Sequence, residues 1–111
     1  AKSIPMMEKA AAKSDEGELY VRLGNVYLDG DQFTKAADSV EKGLKKGGVK
    51  RPDQARLVLG MAYFNLGEYN KARRAFREAG KDDRSAKYSK QWIAYVTSEE
   101  DRQRELEKDL F

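Results

Sequence analysis

Apolar residues recur at helical spacing through most of this chain, and two stretches of the pattern copy one another. Leu23-Gly24, Tyr27, Phe33, Lys35 and Ala36 return 36 positions later as Leu59-Gly60, Tyr63, Tyr69, Lys71 and Ala72. At the same offset Phe76 falls on Val40 and Ala79 on Gly43. Large positions stay large and small ones stay small, so the chain contains a repeat. Each copy predicts two helices with a tight turn between them. The first copy reads as helix from Gly17 to Leu28, turn at Asp29-Gly30-Asp31, and helix from Phe33 to Lys46, ended by Gly47-Gly48. The second starts near Pro52, where a first-turn proline sacrifices no hydrogen bond. It turns at Asn65-Leu66-Gly67 and runs from Tyr69 to Ala79, stopping at Gly80.

Glycine inside a helix costs about 1 kcal/mol relative to alanine, yet Gly24 and Gly60 both sit inside one. The missing side chain lets the second helix of each hairpin approach closely, with Ala36 and Ala72 as small partners. Tyr27, Tyr63, Phe33 and Tyr69 fill the space around them. A single hairpin cannot bury its apolar face, so the units are expected to stack.

Arg56-x2-Leu59-Gly60-x2-Tyr63…Ala72-x3-Phe76 and Tyr20-x2-Leu23-Gly24-x2-Tyr27…Ala36-x3-Val40 resemble the tetratricopeptide repeat signature W-x2-L-G-x2-Y…A-x3-F. Arg56 replaces its tryptophan and Val40 its phenylalanine. The resemblance implies an all-α fold: an α-solenoid of tetratricopeptide helix hairpins with a long C-terminal capping helix. Gly-Gly-Val-Lys is inserted before Pro52, and the second unit lacks its closing proline; both departures are expected to loosen the repeat junctions. Before the first full unit, Ser3, Met7 and Ala10 echo Ala36, Val40 and Gly43, as in the second helix of an incomplete unit. The chain thus reads as the C-terminal piece of a longer array. Residues 1–15 are the second helix of a truncated unit, 16–51 and 52–84 are units, and 85–111 form the capping helix. Ile93-Ala94 stands 34 residues beyond Leu59-Gly60, so the last helix begins as another first helix. From Thr97 on it turns strongly charged, with opposite charges three and four residues apart. A polar end helix seals a solenoid. Leu106, Leu110 and Phe111 leave a small apolar tail.

The family's geometry implies a groove lined by first helices. Val21, Asn25 and Leu28 would face it from one unit, Leu57, Met61, Phe64 and Asn65 from the next, and Tyr88, Trp92 and Tyr95 from the last helix. These three aromatics lie at i, i+4 and i+7 and share a face. They would anchor a peptide or partner helix, or else Phe64, Trp92 and Tyr95 serve as packing between helices. Some members of the family clamp a C-terminal carboxylate. Only Asn25 matches such a clamp here, while Val21 and Leu57 stand where it needs cations or polar donors.

Charge adds one alternative, and apolar surface at the truncated N-terminal edge adds another. Lys42, Lys45, Lys46, Lys50 and Arg51 lead into Arg73, Arg74, Arg77, Lys81 and Arg84, a face that could meet nucleic acid. Interspersed Asp38, Glu41, Glu78, Asp82 and Asp83 favour a solvated outer surface instead. Self-association, as a homodimer through the exposed terminal repeat, is the other alternative. Charged residues reach 37% against 40% hydrophobic, but the regular spacing of the latter argues against disorder. No apolar run approaches the roughly 18 residues of a membrane span, so a soluble chain without membrane insertion is expected.

Histidine and cysteine are absent, which removes the commonest general base, metal ligands and thiol nucleophile. Asp29-Gly30-Asp31 lacks the glutamate of a calcium loop. There is no glycine-rich phosphate loop, and no carboxylate is expected to be paired where its pKa would shift. The reading is no enzyme, no metal and no cofactor. Finally, Lys45 to Leu106 is similar to the tail of bacterial envelope repeat proteins that accompany TonB-type transport systems. That resemblance implies a periplasmic scaffold. The chain begins at Ala1 without a hydrophobic leader, so any targeting signal is expected to lie outside it.

Overall fold

A computed structural model describes residues 3–110; Phe111, expected in the apolar tail, lies outside them. Its helices are α1 (Ile4–Lys13), α2 (Glu18–Asp29), α3 (Phe33–Lys46), α4 (Pro52–Asn65), α5 (Tyr69–Ala79) and α6 (Ala86–Leu110). A 3-10 turn over Asp83–Ser85 precedes α6. Helices α2 and α3 pack as one hairpin and α4 and α5 as another. The stack continues through α1 on α2, α3 on α4 and α5 on α6, while α2 also touches α4. Its extents are 50 × 31 × 22 Å. This is the all-α solenoid that the sequence predicts, ending in a 25-residue helix.

The two interior glycines set the distance within each hairpin. A Cβ on Gly60 would lie 2.5 Å from Cε1 of Phe76, and one on Gly24 would collide with Cγ2 of Val40. Phe76, Val40, Ala36 and Ala72 are completely buried. Gly60→Ala therefore gains about 1 kcal/mol of helix propensity but overpacks a rigid ring, at a cost of about 1–3 kcal/mol. The net expectation is a loss of about 1 kcal/mol, read from the urea midpoint. A stabilised variant would mean that propensity, not packing, governs this position.

The turns repeat as closely as the helices. Asp31 and Gly67 occupy equivalent places with φ 59° and 76°. The next residue donates its N–H back to the tyrosine carbonyl in both cases, Gln32 to Tyr27 and Glu68 to Tyr63, each at 2.9 Å. The left-handed residue of the first turn is Asp31 rather than Gly30, because aspartate tolerates that conformation.

Hydrogen bonds hold the loop that carries the inserted residues. Gly17 N–H donates to the Gly47 carbonyl at 2.6 Å, and Lys50 N–H to Glu18 Oε1 at 3.2 Å. The Lys46 ammonium reaches the Ala11 and Ala12 carbonyls at 3.2 and 3.3 Å, covering the open end of α1. The inserted residues supply backbone groups that spacing alone does not predict. At the other end, Val96 of α6 is fully buried. Exposed pairs Glu99–Arg102, Asp101–Arg104 and Glu105–Lys108 then decorate the overhanging turns, each contributing little to stability.

Candidate functional site

Between α2 and α4 runs a groove of about 460 Å³. Its floor comes from Val21 of α2 and Ala55, Leu57, Val58 and Met61 of α4, with Asn25 and Gln54 on its walls. Helical spacing places them: Val21 and Asn25 are one turn apart, as are Leu57 and Met61. Four of the expected groove residues (Val21, Asn25, Leu57 and Met61) therefore meet. Val21 is nearly buried, and the Asn25 side-chain amide donates to the Val21 carbonyl at 3.3 Å, which turns it along the helix.

Three more expected residues gather in an aromatic cluster beyond the groove. The Phe64 ring lies 5.3 Å from Tyr95 and 6.3 Å from Trp92, between centroids. Trp92 in turn stacks on Phe76 at 5.1 Å and 10°. Phe64 and Trp92 are thus half-buried packing between α4, α5 and α6, while Tyr95 keeps half its surface exposed. Tyr88 is also exposed and meets no other ring among the described residues. Leu28 is half-buried against the core and is not among the residues that line this groove. The Asn65 amide donates to the Met61 carbonyl at 2.8 Å, serving the end of α4.

Spacing misses the cations of this groove. Arg22, Lys50 and Arg51 line it with Glu18 as the only acid among its lining residues. Glu18 lies 3.6 Å from Arg22, and Arg51 is held by Asp53, leaving the Lys50 ammonium without an ion-pair partner among the described residues. Lys50 and Arg51 arrive through the Gly47–Arg51 loop, whose course no periodic pattern encodes. Arg22 does lie four residues after Glu18, a usable signal.

Three carboxylates correct the expectation that none would be shifted: Glu78 and Asp82, lowered by Lys81 and Arg84 on the surface, and one that is buried. Asp53 is only 3% exposed. The Arg51 guanidinium beside it holds its carboxyl well below the usual carboxylate range, with help from the Ser85 hydroxyl and against the opposing effect of burial. A carboxylate held ionised in this way is a poor general acid or base, so the knot is structural. Burial, with Glu41 accepting its proton at 2.7 Å, raises the pKa of the Tyr63 phenol.

Much of the basic face is occupied within the molecule. Arg73 pairs with Glu100 at 3.0 Å, Lys81 with Glu78 at 2.9 Å and Arg84 with Asp82 at 2.7 Å. Arg56, Lys71 and Arg74 share a hollow lined from α3, α4 and α5 with the acids Glu41 and Glu78. Among the described residues no group of three or more acidic side chains is placed to hold a metal ion, and no helix is long and apolar enough to cross a membrane.

Comparison with known proteins returns no match among curated proteins and none among solved structures. Residues 53–85 match the family model described as tetratricopeptide repeat. They cover α4, α5 and the 3-10 turn, the segment in which Gly60 receives Phe76. The chain is an all-α stack whose residues 53–85 are similar to a tetratricopeptide repeat, a module that suggests protein–protein interaction and is generally non-catalytic.

Proposed function

We propose that the chain is a non-catalytic scaffold that holds a peptide or partner helix in the α2–α4 groove. The supporting observation is the groove itself: an apolar floor of Leu57, Val58 and Met61 flanked by Arg22 and Lys50. Preformed helices hold these anchors in place, so a partner gains affinity without the cost of ordering its receptor. The floor selects an apolar side chain, and the cations favour an acidic neighbour. The aromatic cluster extends this surface only at Tyr95.

A random peptide library selected on the immobilised chain tests the reading. Enriched sequences are expected to pair apolar with acidic residues and to lose about tenfold or more in affinity on Met61→Glu, with the circular dichroism spectrum unchanged. No enrichment, or equal binding by the variant, would overturn it. The bacterial-envelope setting, with a periplasmic scaffold beside a TonB-type system, rests on the resemblance of Lys45 to Leu106 alone. Fractionation of cells expressing the natural protein tests it, and recovery from the cytoplasm would end it.

A further inference from the structure

On the reading of the α2–α4 groove proposed above, its partner can be specified further, because the charge of the groove is gathered at one end. Both walls belong to complete hairpins, α2 with α3 and α4 with α5. The starts of α2 and α4 lie together: Gly17 N–H donates to the Gly47 carbonyl, and Lys50 N–H to Glu18. The first turns of two helices therefore lend this end a partial positive charge. Lys50 and Arg51 stand just before α4, and Arg22 one turn into α2. Val21 and Leu57 leave the middle of the groove apolar, and Met61 follows one turn beyond Leu57.

Of the three cations, Lys50 is the one placed to hold a ligand. Arg51 is committed to Asp53 at 2.6 Å, and Arg22 lies 3.6 Å from Glu18. The Lys50 side chain is exposed, and its ammonium has no ion-pair partner among the described residues. Its backbone N–H is fixed by Glu18, so the ammonium swings from an anchored position.

We infer that the groove takes an extended, acidic peptide segment. An acidic side chain meets Lys50, and an aliphatic side chain about three residues away lies against Leu57 and Met61. The spacing comes from α4, where Gln54 and Met61 are seven residues apart, about 10 Å along the axis. An extended segment covers that span in about three residues, a helix in about seven. The walls favour the extended form. Asn25 spends a side-chain N–H on the Val21 carbonyl, which leaves its amide oxygen to accept, and the Gln54 amide is exposed on the other wall. An extended backbone has N–H and C=O groups to offer them, whereas a helix has already paired its own.

The probe is a set of end-capped dodecapeptides in a serine–glycine background, with an Asp-Glu pair placed about two to eight residues from a Leu-Met pair. Titrated into the isotope-labelled chain, they are expected to shift the amide resonances of Gln54, Leu57 and Met61. Affinity should peak at a spacing of about three and fall as salt rises. Lys50→Gln retains the backbone bond to Glu18. It should weaken the acidic peptide about threefold, as for an exposed charge pair, and leave the matching Asn-Gln peptide unchanged. Equal losses for the two peptides, or a best spacing of about seven, overturn the inference. Loss of binding in Met61→Glu would in that case still uphold the groove. Binding indifferent to Met61→Glu, or no binding by any peptide, removes both.

Discussion

Phe76→Ala is expected to lower the unfolding free energy by about 3–5 kcal/mol, the range for deleting a buried aromatic side chain. Three helices meet on this residue. Its ring fills the space left by Gly60 of α4, it is completely buried, and it stacks on Trp92 of α6 at 5.1 Å. Its carbonyl accepts the buried Ser89 hydroxyl of α6 at 2.6 Å. Truncation empties the space that the glycine was kept to create, and the rigid helix backbones close it only in part. Trp92, the single tryptophan, reports the event directly in urea unfolding followed by fluorescence. An earlier midpoint and a red-shifted native emission are expected together. A loss below about 1 kcal/mol would mean that α6 is held elsewhere. Leu106→Ala is the control: on the exposed overhang it should stay within about 0.5 kcal/mol of the parent.

The same residues explain what the sequence makes legible. Gly24, Gly60, Val40 and Phe76 act through helix periodicity and size, both visible as a repeat, so the paired helices could be placed to within a residue or two. Helix α6 was likewise visible, from Ile93-Ala94 at the right offset and from the charge pattern after Thr97. The groove was half visible. Val21, Asn25, Leu57 and Met61 follow from the geometry that the repeat's family resemblance implies. Trp92 illustrates the limit: one face of a helix can serve a ligand or a neighbouring helix, and spacing does not distinguish them. Only the position of Phe76 beneath the indole decides that Trp92 is largely packing. Lys50 and Arg51 were invisible as groove residues because an irregular loop carries them, and loops are placed by hydrogen bonds such as Lys50 N–H to Glu18. Long-range polar partners follow no period at all.

Asp53→Ala extends that point to stability, with an expected loss of about 3 kcal/mol. Asp53 begins α4, is 3% exposed and accepts from Arg51 Nε at 2.9 Å and Nη2 at 2.6 Å. Its second oxygen also takes the buried Ser85 hydroxyl at 2.6 Å, which ties α4 to the turn that launches α6. Arg84 stands 3.8 Å away on the wet side. Removing the carboxylate strands the Ser85 hydroxyl and frees Arg51. The expected loss falls at the low end of the range for breaking buried ion pairs, because both arginines retain contact with water. The charge itself can be isolated with Asp53→Asn. Hydrogen bonding to Arg51 lowers the folded-state pKa beneath the unfolded value of about 3.9. The stabilisation is therefore complete above the unfolded pKa and drains away as pH falls from about 4 toward the lower folded value. Urea midpoints of the parent and Asp53→Asn should differ most near neutrality and draw together progressively as pH falls below about 4. Glu78, also lowered by its pair with Lys81, is present in both proteins and cancels from the comparison. A gap that stayed constant down to pH 2 would show that shape, rather than ionisation, gives Asp53 its hold on α6.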